Sequence, residues 1–117
     1  MLGFLAAIAG FVSAALGAFG AHAFQEGFSV EALGWWDTAT QYLMVHAAAA
    51  LAIGLSERDG LTKTGGLCLI LGAALFAATL YMMALGAPRW FGAITPIGGL
   101  GMLVGWGLVA GGMLGRD

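Results

Sequence analysis

Residues 2–24 read LGFLAAIAGFVSAALGAFGAHAF, and within this stretch only Ser13 and His22 carry polar side chains. At about 1.5 Å per residue, a helix of that length crosses the roughly 30 Å hydrocarbon core of a bilayer. Ala21-His22-Ala23 has the small-x-small form of a signal-peptidase site. The apolar run nevertheless exceeds the usual signal core of roughly 7–15 residues, and no Lys or Arg precedes it, so it reads as a retained membrane span.

The glycines of this span follow a rule. Gly3, Gly10 and Gly17 recur every seven residues, and Ala7, Ala14 and Ala21 follow in step, four positions later each time, so that both sets line one helical face. Near the other end of the chain Gly98, Gly105 and Gly112 repeat the design, joined by Gly101 and Gly111. Gly65, Gly72 and Gly86 form a weaker version between them. A seven-residue period implies left-handed packing at a shallow crossing angle. Lipid tails solvate leucine as well as another helix does, so membrane helices associate through close backbone approach, which small residues permit. The expectation is that the first and last spans pack on each other at short separation, along Gly10 and Gly105.

The rest of the chain agrees with a membrane setting. Of 117 residues, 61% are hydrophobic and 9% charged, whereas about a quarter of the residues of a soluble domain are charged. The net charge of −2 is weak and scattered, which argues against a nucleic-acid partner or a polybasic lipid-binding tail. A single cysteine, Cys68, inside an apolar run excludes a disulfide framework and a two-thiol metal or redox motif.

Three further spans follow. Ser29 ahead of Val30-Glu31-Ala32-Leu33 is a helix start with serine as N-cap, and this second helix runs to Leu55, where Ser56-Glu57-Arg58-Asp59-Gly60 stops it. Residues 61–87 form the third, with Thr64 as the expected cap and Pro88 as the stop. Trp90 to Ile94 is a short interfacial piece, and Thr95-Pro96, with threonine as the expected cap and proline at the first helical position, opens the fourth span, which covers about 95–115. The predicted architecture is an all-α membrane protein, a single four-transmembrane-helix bundle over 1–117 with glycine/alanine packing seams and spans at about 2–24, 30–55, 61–87 and 95–115. Arg58, Lys63 and Arg116 fall on the side of the termini and Arg89 on the other, a bias that favours cytoplasmic termini. Trp35, Trp36 and Trp90 fall on the opposite side, at headgroup level.

Polar residues inside the spans are the candidates for function. Thr38, Tyr42 and His46 follow at four-residue spacing with Gln41 beside them, which places all of them on one side of the second helix. His46 lies near the middle of the bilayer, and His22 near the outer end of the first span. A midplane histidine can relay protons, bind a metal or gate a pore, or it can hold helix register through a hydrogen bond. The structural role is favoured, because no Asp, Glu, Lys or Arg at that depth completes a relay. A haem held by His22 and His46 is disfavoured by their different depths. Tyr81 and Thr79 in the third span, and Thr95 at the start of the fourth, are hydroxyl groups available to the stripe. There is no Ser-His-acid set and no phosphate-binding loop with its lysine, so neither catalytic residues nor a metal or other cofactor is expected.

Gly17-Ala18-Phe19-Gly20-Ala21-His22, Thr38-Ala39-Thr40-Gln41-Tyr42 with His46, Leu80-Tyr81, and Ile94-Thr95-Pro96-Ile97-Gly98-Gly99 stand in this order. In this the chain resembles the domain-of-unknown-function family 423, whose animal relatives are called transmembrane protein 256. The resemblance covers nearly the whole chain. It implies small four-helix membrane proteins, in bacteria of the inner membrane, and brings no activity or catalytic residue with it. The chain departs from the pattern at Phe76-Ala77-Ala78-Thr79, where a glycine or serine is expected before Leu80-Tyr81. The expected partners are the bilayer itself and either further copies of the chain or a larger membrane complex. The function expected is that of a scaffold or accessory subunit; the alternative is a small transporter or channel centred on His46.

Overall fold

The computed structural model describes residues 1–22 and 26–115. Four helices, α1 (Leu2–His22), α2 (Val30–Leu55), α3 (Gly60–Ala84) and α4 (Thr95–Leu114), run antiparallel in sequence, and a short 3-10 helix, Arg89–Ala93, precedes the last. All four are long and apolar enough to cross a membrane. Ala23 and Phe24 at the end of the first predicted span, and Arg116 in the charge argument, lie outside the described residues.

Local chemistry sets the helix ends. Ser29 caps α2, its Oγ accepting from the Ala32 amide at 3.0 Å. α3 begins at Gly60, with Asp59 at its N-cap position, so Thr64 is an ordinary exposed helix residue rather than the cap. At its other end α3 stops before proline acts. Gly86, at φ 110°, donates to Met83 O, and Ala87 donates to Met82 O at 2.9 Å. This pair of bonds closes the last turn around a glycine whose backbone an L side chain rarely adopts. Pro88 then only prevents resumption.

Neighbours along the chain pack side by side: α1 on α2, α2 on α3, α3 on α4, with a small contact between α1 and α3. The bundle measures 49 × 26 × 18 Å along its principal axes, long enough for a bilayer with its headgroups, about 40–45 Å. α3 lies deepest, and its Leu69, Ala73 and Ala77, each 1% exposed or less, pack in the core shared with Leu43, Ala47 and Ala50 of α2.

The expected pairing of the first and last spans does not occur, since α1 and α4 share no contact. The α4 seam instead meets the one judged weaker. A Cβ at Gly105 would lie 2.8 Å from Leu69 N and 2.9 Å from Gly65 O, and one at Gly72 would lie 2.8 Å from Gly98 O and Met102 N. Backbone rests on backbone here. Gly98 closes on Phe76 and Gly72, and Gly112 is buried further along the same face. The α1 seam is divided: Gly17 sits against Thr40, Gly3 lies under Gly54 of α2, and Gly10 has nothing within 4 Å of where its Cβ would be. A heptad marks a face ready for close approach without naming the helix that fills it. Short connections bring consecutive helices together first.

Candidate functional site

Two clusters of polar side chains lie inside the bundle at different levels. Towards the α1–α2 loop, Trp36 turns its indole inward and donates from Nε1 to Leu16 O of α1 at 2.7 Å. The ring fits because position 20 is glycine: a Cβ there would run into Trp36 Cδ1 and Nε1. Trp36 is 3% exposed, so although it lies at the level expected for an interfacial ring, it faces the core rather than the headgroups. Trp90 is exposed as expected, and Trp35 is half-buried beneath the Arg89 guanidinium, 5.5 Å from its ring centroid. Arg89 also pairs with Glu31 across the mouth of the bundle.

Next to Trp36, Thr40 Oγ1 lies 3.0 Å from Trp36 O and 2.7 Å from the Tyr81 hydroxyl. A threonine has one hydroxyl proton, and a carbonyl can only accept it. Tyr81 therefore donates to Thr40, and Thr40 to the Trp36 carbonyl. The Trp36 and Tyr81 rings meet edge to face with centroids 4.5 Å apart. This chain of bonds ties α1, α2 and α3 together.

Further along α2, at the level that the sequence places near the bilayer middle, His46 is 6% exposed. Trp106 of α4 donates from Nε1 to His46 Nε2 at 3.0 Å, and His46 Nδ1 lies 2.6 Å from Tyr42 O. An indole nitrogen is a donor only, so Nε2 holds the lone pair and the ring proton sits on Nδ1, donating to the Tyr42 carbonyl. Both nitrogens of a neutral imidazole are thereby used. The Tyr42 ring stacks on His46 at 6.0 Å and 7°, and Phe76 of α3 lies 4.7 Å from Tyr42. A groove of about 560 Å³ runs over these rings between α2 and α4, bordered by Pro96, Leu100 and Leu103.

The predicted stripe is thus divided. His46 is turned inward, Thr38 is half-buried, Tyr42 borders the groove, and Gln41 points outward. His22 is exposed at the end of α1 near Ala15, Ala18 and Phe19 and does not join His46. Tyr81 partners Thr40, not the stripe. Thr95 pairs with Thr79, Oγ1 to Oγ1 at 2.7 Å, rather than capping α4. That pair continues the α3–α4 seam where the glycines end. Among the described residues no three His, Cys, Asp or Glu side chains converge as a metal site would require.

Sequence reading missed Thr40, Trp36 and Trp106 as partners. Two signals point to them. Thr40 lies one helical turn from Trp36 and from Leu43 on the inward face, and Trp106 is the one tryptophan far from the headgroup level, where an indole N–H needs an acceptor.

Comparison with known proteins agrees with this architecture. The chain is 36% identical over 107 residues to the UPF0382 inner membrane protein YgdD of Escherichia coli K12, covering 89% of this chain and 82% of that protein. It is 40% identical over 108 residues to a UPF0382 membrane protein of Schizosaccharomyces pombe, covering 87% and 92%. A UPF0382 membrane protein of Haemophilus influenzae is 40% identical over 104 residues, covering 87% and 84%. No solved structure matches. Residues 16–99 match the family model described as a protein of unknown function, DUF423, a stretch that contains the α1–α2–α3 hydrogen-bond chain and His46. This protein, a multi-pass membrane bundle of four helices, belongs to the DUF423 family.

Proposed function

We propose that this protein acts without catalysis of its own, through helix-helix association, as a scaffold or accessory subunit of a membrane complex. The observation that carries the reading is how the polar groups are spent. Inside the bundle they satisfy one another: Trp106 with His46, Tyr81 with Thr40, Thr79 with Thr95. None of these is left over for a reactant. The outward faces, by contrast, present small residues such as Ala7, Ala14 and Ala48, the kind that lets another helix approach. Connections outside the bilayer are short and supply little other binding surface. As in the Escherichia coli relative, named for the inner membrane, the site of action is the bacterial inner membrane, with the termini in the cytoplasm. Purification of the full chain in mild detergent should bring down a stoichiometric membrane partner. Recovery as a free chain, under conditions that preserve other complexes, counts against the proposal.

A second reading, a small transporter or channel, draws on the groove beside His46 and Tyr42. For His46 to carry a proton it would first have to give up the Trp106 bond. Loss of a solute flux in His46→Ala reconstituted vesicles would favour this reading over the first.

A further inference from the structure

Asp37 and Gln41 are polar side chains on the outer face of α2. Both are exposed, one turn apart, on the face opposite the buried Ala39, Leu43 and Ala50. Neither has a hydrogen bond or ion pair within the described chain. Gln41 lies about 7.5 Å along the helix from the midplane His46, which puts its amide inside the hydrocarbon. Lipid tails offer an amide neither donor nor acceptor.

The face around it is built for a helix. Gly34, Gln41, Ala48 and Leu55 recur every seven residues and are all exposed, and a Cβ at Gly34 would meet nothing within 4 Å. A seven-residue period suits a left-handed helix pair, small side chains permit close approach, and one polar group in such a seam sets its register.

What the amide requires decides the occupant. Copies of one chain inserted the same way are related by a two-fold axis along the membrane normal, so each residue on the axis meets its own counterpart at equal depth. For glutamine that arrangement is complementary in charge: the carbonyl oxygen of each amide faces the amino group of the other, and two hydrogen bonds form. For Asp37, about 6 Å nearer the membrane surface, it is the reverse, because two carboxylates are brought near each other. We infer that the chain forms a parallel homodimer through the outer face of α2, clasped by a reciprocal Gln41 amide pair and held in check by Asp37. This goes beyond the accessory-subunit reading and does not depend on it: a dimer that binds no other protein keeps the inference and removes that reading.

The test is energy transfer between donor- and acceptor-labelled full-length copies in phosphatidylcholine/phosphatidylglycerol vesicles, titrated by dilution with lipid. Gln41→Leu should raise the apparent dissociation constant about tenfold or more, while Asp37→Asn should lower it and Gln41→Asn should retain most of the association. Both residues are exposed, so the fold should survive, and an unchanged circular dichroism spectrum checks that it does. A disulfide map in a Cys68→Ser background adds a second measure: Ala48→Cys should link two copies and Leu103→Cys, on the outer face of α4, should not. Wild-type protein that gives no transfer at high protein-to-lipid ratio overturns the inference, as does transfer indifferent to Gln41→Leu or linkage through residue 103 in place of 48.

Discussion

Trp106 holds His46 from across the bundle, with its indole N–H 3.0 Å from Nε2, so a side chain of α4 supplies the donor that the lone pair of an α2 histidine needs. The Tyr42 carbonyl accepts from Nδ1 on the other side. Trp106→Phe keeps an aromatic ring but leaves a buried acceptor without a donor, which should cost about 1–3 kcal/mol of stability. Reversible unfolding in mixed micelles measures the loss. Nitrogen-15 shifts of His46 should report the Nδ1–H tautomer in both proteins, because the Tyr42 carbonyl can only accept, with the Nε2 resonance displaced in the variant by loss of its donor.

Gly20 and Gly10 lie on the same helix and should respond in opposite ways. An alanine at 20 would drive into the Trp36 indole and break its bond to Leu16 O, destabilising the bundle by about 1–3 kcal/mol through overpacking alone. Tryptophan emission should shift as the ring leaves its pocket. Gly10→Ala meets nothing within 4 Å and should be neutral or slightly stabilising, since alanine favours a helix over glycine by about 0.5–1 kcal/mol.

The α3–α4 seam should be the least tolerant part of the molecule. At Gly72 and Gly105 the nearest atoms are largely main chain, 2.8–2.9 Å from an added Cβ, and a backbone cannot rotate out of the way. Gly72→Ala or Gly105→Ala should cost about 3 kcal/mol or more, whereas Gly107→Ala, with open space around it, should cost nothing. Equal melting temperatures for Gly72→Ala and Gly107→Ala would contradict the seam.

Thr40 and Tyr81 form one unit, because the hydroxyl of each completes the bonding of the other. Thr40→Val and Tyr81→Phe should each destabilise, and together by less than the sum. The coupling expected from a double-mutant cycle is about 0.6–1.7 kcal/mol, the range for side-chain hydrogen bonds between membrane helices.

Some of this architecture is carried by the chain itself. Long apolar stretches with few charges must become helices in a solvent that leaves no backbone group unpaired without cost, and Ser29, the Ser56–Gly60 turn and Pro96 mark the ends because their chemistry is local. The heptads of small residues likewise mark faces for close approach. Which faces meet is a different matter. The helical period fixes the angles between Thr38, Gln41, Tyr42 and His46 but not where zero lies, so only packing could turn His46 towards Trp106 and Gln41 towards lipid. The same holds for Gly105, which found Gly65 and not Gly10, and for Thr40, whose partner is 41 residues away. Helix formation depends on residues three or four apart, while pairing depends on how whole surfaces fit, and that is decided only when the four helices come together.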